Sequence, residues 1–454
     1  MSASSLFFGA ALLADGWAHD VRIEIADGRI AAIVTGDVRR PGEECFAVGM
    51  PGLANLHSHA FQRGMAGLAE VRGPTRDSFW SWREVMYHFL GALTPDDVEA
   101  IATLAYAEML ESGFTRVGEF HYLHHDPAGR PYAQLAEMAG RIVAAAAESG
   151  IGLCLLPVLY AQGGFGGAPP SPGQRRFLCT PEAFAKLVEE AAGTLRTLPD
   201  ATIGVAPHSL RAVTPAALAE AVALAAGRPV HIHVAEQLRE VEECLAWSGA
   251  RPVEWLLDHA DVGAGWCLIH ATHMTEEETT RLAHTGAVAG LCPVTEASLG
   301  DGIFNAPSWV AAGGSYGIGT DSNVRIDAAA ELRQLEYAQR LRTHARNVLA
   351  SGAGRSTGRS LFDAARTGGA QALASGAMAL ETGRAADVVA LDTREMSLAL
   401  RNDDGWLDGW IFSADRVVDT VWRRGCAVVR QGRHIARESI ERRYLATLRG
   451  LMAA

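Results

Sequence analysis

Met50-Pro51-Gly52-Leu53-Ala54-Asn55-Leu56-His57-Ser58-His59 is an apolar, β-prone run that closes on two histidines one residue apart. Side chains two apart on a strand point the same way, so a His-x-His at a strand end aims two imidazoles at one point. Three other segments end alike. Pro229-Val230-His231-Ile232-His233-Val234-Ala235-Glu236 carries a second His-x-His, Trp266–His270 runs into Ala271-Thr272-His273, and Ser315-Tyr316-Gly317-Ile318-Gly319-Thr320 leads to Asp321. Imidazole and carboxylate are the ligands of a catalytic zinc that keeps one position open for water.

Working outward, apolar strands alternate with helical segments. Strands are expected at 52–56, 115–120, 151–160, 202–207, 229–235, 266–270, 287–292 and 315–319. The helices between them carry start signals. Thr94-Pro95-Asp96-Asp97 supplies an N-cap, a first-turn proline and two acids, and Thr180-Pro181-Glu182 and Thr214-Pro215 repeat the pattern. Gly113 and Gly227 offer helix stops. Eight β/α repeats predict an α/β fold, a (β/α)8 TIM-type barrel, with its active site at the C-terminal strand ends, where the His and Asp residues fall. An open doubly wound sheet is the competing topology, but it does not bring strands one, five, six and eight around one centre. Residues 1–50 and 383–454 read as short strands and turns, neither sufficient for a stable core alone. They are expected to pair into one small β-sandwich-like domain flanking the barrel at 51–382. The Gly/Pro-rich loop 163–173 is positioned to border the site.

Composition narrows the function. The chain has 454 residues, is 48% hydrophobic and 20% charged, and carries a net charge of −12. A nucleic-acid partner needs a basic face and is not expected. The seven cysteines are scattered without a CxxC pair, which reads as reduced thiols in a cytoplasm, with Cys154, Cys267 and Cys292 in the core. No run is long and apolar enough to span a bilayer, so no membrane partner is expected.

Of the titratable groups at the strand ends, the spacing alone leaves open whether His231 or His233 would bind metal. The earlier residue lies deeper in the barrel by ~6.6 Å. Asp321 offers a carboxylate that can both ligate an ion and take a proton from water; the bland alternative is an N-cap for a helix beginning near Asp327. Glu236 and His270 stand where acid/base groups are needed, because hydrolytic deamination must deprotonate water and protonate nitrogen. His273 lies beyond its strand and is assigned a structural role.

Taken together, Pro51-Gly52-Leu53 with His57-Ser58-His59, His231 to Glu236, His270 to His273, Cys292-Pro293-Val294-Thr295-Glu296 with Leu299-Gly300-Asp301-Gly302, and Gly319-Thr320-Asp321 resemble the amidohydrolase superfamily. The likeness covers nearly the whole chain and is to the mononuclear-zinc aminohydrolase branch, which includes guanine and chlorotriazine-type enzymes. It implies one Zn2+ per chain held by His57, His59, His233 and Asp321, with Asp321, His270 and Glu236 as the catalytic groups. No lysine stands at the ends of strands three and four, so a carbamylated-lysine binuclear site is not expected.

Within that branch, Asp77-Ser78-Phe79-Trp80-Ser81-Trp82-Arg83-Glu84, Glu119-Phe120-His121-Tyr122-Leu123-His124-His125 and Pro207-His208-Ser209-Leu210-Arg211 are most similar to the deiminases of N-formimino-L-glutamate in histidine catabolism. This likeness implies a small dianionic substrate held by Gln62, Arg83, Tyr122, His208 and Arg211. Arg211 grips one carboxylate bidentately and Arg83 serves the other, from its own chain or across a homodimer interface. Two alternatives are kept: an aminohydrolase of guanine or another heterocycle, and a catalytically silent metal-binding sensor or scaffold, whose mark would be a lost ligand.

Overall fold

The structure is a computed structural model and describes residues 4–74 and 77–453. The outermost bounds expected for the small domain, Met1 and Ala454, lie outside the described residues. Eight positions around a barrel are filled by Leu53–Ser58, Phe114–His121, Gly152–Leu159, the pair Thr202–Ile203 and Ala206–Pro207, Val230–Val234, Trp266–His270, Val288–Leu291 and Ser315–Ile318. All neighbours run parallel, and the last strand returns to the first through Ile318 and Asn55. The fourth strand is broken into short pieces and reaches the fifth through bridges at Val205–Val230 and Ser209–His233. The barrel expected from the alternating pattern is therefore present, with its strands at the expected positions.

The helix signals act as read. Thr94 caps Pro95–Glu111 in a reciprocal box with Asp97, and Thr180 and Thr214 cap Pro181–Thr194 and Pro215–Ala225. One stop is displaced by a residue. Ala226, with φ +49°, is already left-handed ahead of Gly227. Asp327, rather than Asp321, caps the helix Ala328–Thr343, which leaves Asp321 free for another role.

The chain ends build a second sheet of eight strands, ordered 433–434, 426–430, 418–423, 388–391, 44–51, 4–13, 16–26 and 29–34. The turn at Gly425 lies against Ile25 from the opposite end of the sheet, and between them are enclosed Phe8, Val21, Ile23, Val388 and Trp422. The strand Glu44–Pro51 passes into the first barrel strand with only Gly52 between them. A Cβ there would lie 2.3 Å from Thr115, so only glycine lets the two sheets join so closely. Not all of the later chain joins this sheet. Arg437–Ala453 is a helix that packs Ile440 onto Leu104 and Ala107, and Asp404–Ser413 sets Trp410 against Phe362. No described helix is long and apolar enough to cross a membrane.

Candidate metal centre and adjoining pocket

The first and last strands of the barrel meet at the site because Gly319 has no side chain; a Cβ there would approach the His57 carbonyl oxygen to 2.7 Å. The backbone then turns through left-handed conformations at Asp321 (φ +45°) and Asn323 (φ +54°). Each such non-glycine residue costs about 1–3 kcal/mol and needs its surroundings to hold it. The Asn323 amide does so, donating to Ser58 Oγ, His59 O and Asp321 O, each at 3.1 Å. Asn55 adds a pair of bonds to Thr320, from its amide to Oγ1 at 2.7 Å and from Thr320 N–H to its own oxygen at 3.0 Å.

This frame brings His57, His59, His233 and Asp321 together, all buried, with one ligand atom of each within 4.8 Å of the others. His59 donates Nδ1–H to Phe120 O at 2.9 Å, and His233 donates Nδ1–H to His208 O at 3.0 Å. Both rings therefore turn a lone pair on Nε2 inward. His233 Nε2 lies 3.1 Å from His57 Nε2, and Asp321 Oδ1 lies 3.4 and 3.2 Å from the Nε2 atoms of His57 and His59. Burial pushes His57 down to about 3 and His233 well below the ordinary histidine value, so both are neutral. Burial by itself would raise the Asp321 carboxyl, but its close contacts with His57 and His59 hold it well below the usual carboxylate range. Three imidazoles and a carboxylate converging on one buried point fit a divalent cation. His231 is not among them. Its Nε2–H is spent on Ala372 O at 2.8 Å, and His273 bonds Asp301 O at 2.8 Å.

Beside this set stand His270 and Glu236. His270 Nε2 is 3.7 Å from Asp321 Oδ2 and 4.0 Å from Glu236 Oε1. Burial would lower the His270 pKa, but Glu236, Glu296 and Asp321 together lift it to about 10. Glu236 is raised, first by burial, against the opposing pull of His270 and Arg211. An imidazole and a carboxyl group with perturbed affinities, at the rim of one cavity, can carry protons.

That cavity is lined by His270, Glu236, Asp321 and all five residues expected to hold substrate. Gln62 Nε2 donates to Tyr122 Oη at 2.8 Å, and the Tyr122 hydroxyl itself makes only a long donation, to Met86 Sδ at 3.9 Å. The Nε atoms of Arg83 and Arg211, and Gln62 Oε1, are buried without a hydrogen-bond partner among the described residues. Burial works against the Arg211 charge, yet Glu240 and Glu236 hold its pKa up; His208 is pushed well below its ordinary value by burial and by Arg211. Some features were not drawn from the sequence. Phe79, Trp82, Tyr87, Tyr160 and Phe177 also line the cavity, and the Trp80 ring is faced by Arg83 at 4.5 Å, Arg239 at 4.4 Å and Arg211 at 5.6 Å. The Phe79-Trp80-Ser81-Trp82 cluster was the available signal. The glycine-rich loop 163–173 contributes no lining residue; the positions flanking it, Tyr160 and Phe177, do so instead.

A closed barrel with this donor set at its strand ends defines a metal-dependent hydrolase architecture. Residues 48–428 match the amidohydrolase family and residues 3–46 match the N-terminal domain of formimidoylglutamate deiminase HutF; the chain belongs to the amidohydrolase family. Over 99% of its length it is 48% identical to the whole of formimidoylglutamate deiminase from Pseudomonas aeruginosa. A crystal structure of an amidohydrolase from Brucella melitensis superposes with a TM-score of 0.96 at 57% identity, covering 99% of this chain and 100% of that one. An 8-oxoguanine deaminase from Pseudomonas aeruginosa is 30% identical over 71% of this chain and 72% of its own length.

Proposed function

We propose that this protein is a formimidoylglutamate deiminase of histidine degradation, hydrolysing N-formimino-L-glutamate to N-formyl-L-glutamate and ammonia. The observation that carries the reading is a buried three-imidazole, one-carboxylate set opening onto a pocket where two guanidinium groups have unpartnered Nε donors. Buried donors left without an acceptor are costly unless a ligand meets them. His57, His59, His233 and Asp321 would hold one zinc ion, which when bound polarises the formimino group and lowers the pKa of water to about 7. Arg211, Tyr122 and His208 take one carboxylate of the substrate and Arg83 the other, with Gln62 fixing Tyr122. Held thus, the formimino carbon faces Asp321, which accepts a proton from the attacking water. His270 and Glu236 protonate the terminal nitrogen, so that the carbon–nitrogen bond to ammonia breaks and the amide nitrogen stays with glutamate. The same reading takes the molecule as a cytoplasmic homodimer organised as a barrel at 51–382 and a small domain from 1–50 and 383–454.

A second reading, a deaminase of a purine or other heterocycle, draws on the aromatic lining of the cavity and the 30% identity to the 8-oxoguanine enzyme. A neutral ring gives Arg83 and Arg211 nothing to neutralise. Ammonia release across formimino, guanidino and purine compounds tests the choice. Turnover of 8-oxoguanine without turnover of formiminoglutamate would select the second reading. Mass spectrometry of the products must show N-formylglutamate rather than free glutamate and formamide.

A further inference from the structure

Glu296 lies neither in the donor set nor on the cavity wall, yet it is buried and in contact with His270. Its Oε1 accepts two bonds, from Cys292 N–H at 2.8 Å and from His270 Nδ1–H at 3.2 Å. His270 itself sits at φ +67°, a left-handed conformation that a histidine holds only when its surroundings fix it. The short helix carrying Glu296, Pro293–Leu299, also braces the neighbouring strand end. Thr295 Oγ1 donates to Thr320 O at 3.1 Å and lies 3.0 Å from Ser322 Oγ, on either side of Asp321.

We propose that Glu296 is the positioning residue for His270: its carboxylate fixes the ring so that Nδ1 carries a permanent proton and Nε2 alone faces Asp321 and Glu236. The inference rests on the hydrolase reading of the site, since it assigns the atom of His270 that exchanges protons. The same oxygen that accepts from Cys292 N–H meets His270 Nδ1 as an acceptor, so that nitrogen donates. An imidazole lacking such a partner can rotate its ring and, once it has given up its second proton, can keep the remaining one on either nitrogen, so that the wrong atom faces Asp321 and Glu236. The second bond, from Cys292 N–H, locks Oε1 to the backbone and so transmits the position of the seventh strand to the ring on the sixth. A carboxylate that orients a histidine through Nδ1–H, without touching substrate, supports turnover rather than binding.

The test uses zinc-loaded enzyme with 15N-labelled histidine, the His270 signals being identified by their loss in His270→Asn. In the wild type Nδ1 should be protonated. In Glu296→Ala the Nδ1–H signal should shift or broaden as the ring loses its fixed partner, and kcat should fall roughly 10²-fold or more while KM stays within about threefold. Glu296→Gln, which retains an oxygen for both bonds, should recover at least tenfold of that loss. Near-normal kcat in Glu296→Ala, or a lower kcat with the Nδ1–H signal unchanged, would overturn the assignment. Should that variant not fold, the wild-type spectrum decides alone, an unprotonated Nδ1 being fatal. If instead the wild type releases no ammonia from formiminoglutamate, the proposed activity fails while the nitrogen spectrum still reports on Glu296.

Discussion

Replacing Arg211 with methionine probes the substrate assignment most directly. The side chain is 9% exposed, its Nε has no protein partner among the described residues, and its guanidinium lies 5.6 Å from the Trp80 ring and 6.0 Å from Phe79. Methionine keeps the apolar stem packed against these rings and deletes only the charged fork. A hydrogen bond to a charged group contributes about 1.5–3 kcal/mol. At ~1.4 kcal/mol per decade, kcat/KM for formiminoglutamate should fall by roughly tenfold to a few hundredfold. The assay compares wild type and variant on the full substrate and on two analogues, each lacking one carboxylate. If Arg211 holds a carboxylate, the variant should lose little more on the analogue that lacks it, so the two deletions are non-additive. Zinc content should be unchanged. Equal losses on all three compounds, or full activity of the wild type on both analogues, would refute the reasoning.

Glu236→Gln and His270→Asn should each lower kcat by roughly 10²-fold or more with metal retained; near-normal turnover in either would remove its role. His233→Ala should reduce zinc, measured by elemental analysis after dialysis, from about one per chain to well below it; full retention would show that the ion sits elsewhere. In the small domain, the Arg22 guanidinium, helped by Ser5 and opposed by burial, holds the Glu43 carboxyl down from its ordinary 4.5 to about 2. A lowered folded-state pKa gives stability that is complete above pH ~4.5 and lost as pH falls toward ~2. Glu43→Gln should therefore be less stable than wild type near neutrality by about 1–2 kcal/mol, and the gap in thermal midpoint should close through that window. A gap independent of pH would show that Glu43 acts through packing.

The barrel was legible because its signals are local: each strand is a short apolar run, and Thr94, Thr180 and Thr214 announce helices within four residues. The metal donors were legible for the same reason, lying at strand ends where period-two geometry says which way a side chain points. Choosing between His231 and His233 was not possible by spacing, because the deciding facts are distant. His231 meets the Ala372 carbonyl and His233 the His208 carbonyl, contacts that only the closed barrel creates. Trp80 and Glu296 stood inside recognisable motifs, yet their roles were hidden for a similar reason. A tryptophan faced by Arg211 and Arg239 from separate segments, and a glutamate bonded to a histidine 26 positions earlier, are products of folding together.

The placement of strain ties the fold to the chemistry. Ala235, His270, Ala271, Asp321 and Asn323 all have φ between +45° and +67°, and all lie just at or beyond the ends of strands five, six and eight. A strand that simply continued would carry its side chains alternately toward the axis and away from it, out along the barrel wall. A left-handed residue at the last position turns the chain sharply and directs the adjacent side chain across the mouth. At about 1–3 kcal/mol each, five such residues cost more than surface loops need bear. The cost is offset by buried polar side chains at each of these turns. Asn323 and Asn55 serve the eighth strand and Glu296 the sixth. At the fifth, the Glu240 carboxylate accepts from Ala235 N–H at 3.2 Å and Glu236 N–H at 3.1 Å. Each of these four side chains supports a turn that presents a member of the buried donor set or one of the groups proposed to carry protons. The supporting polar residues are thus part of the site, although none of them faces the cavity.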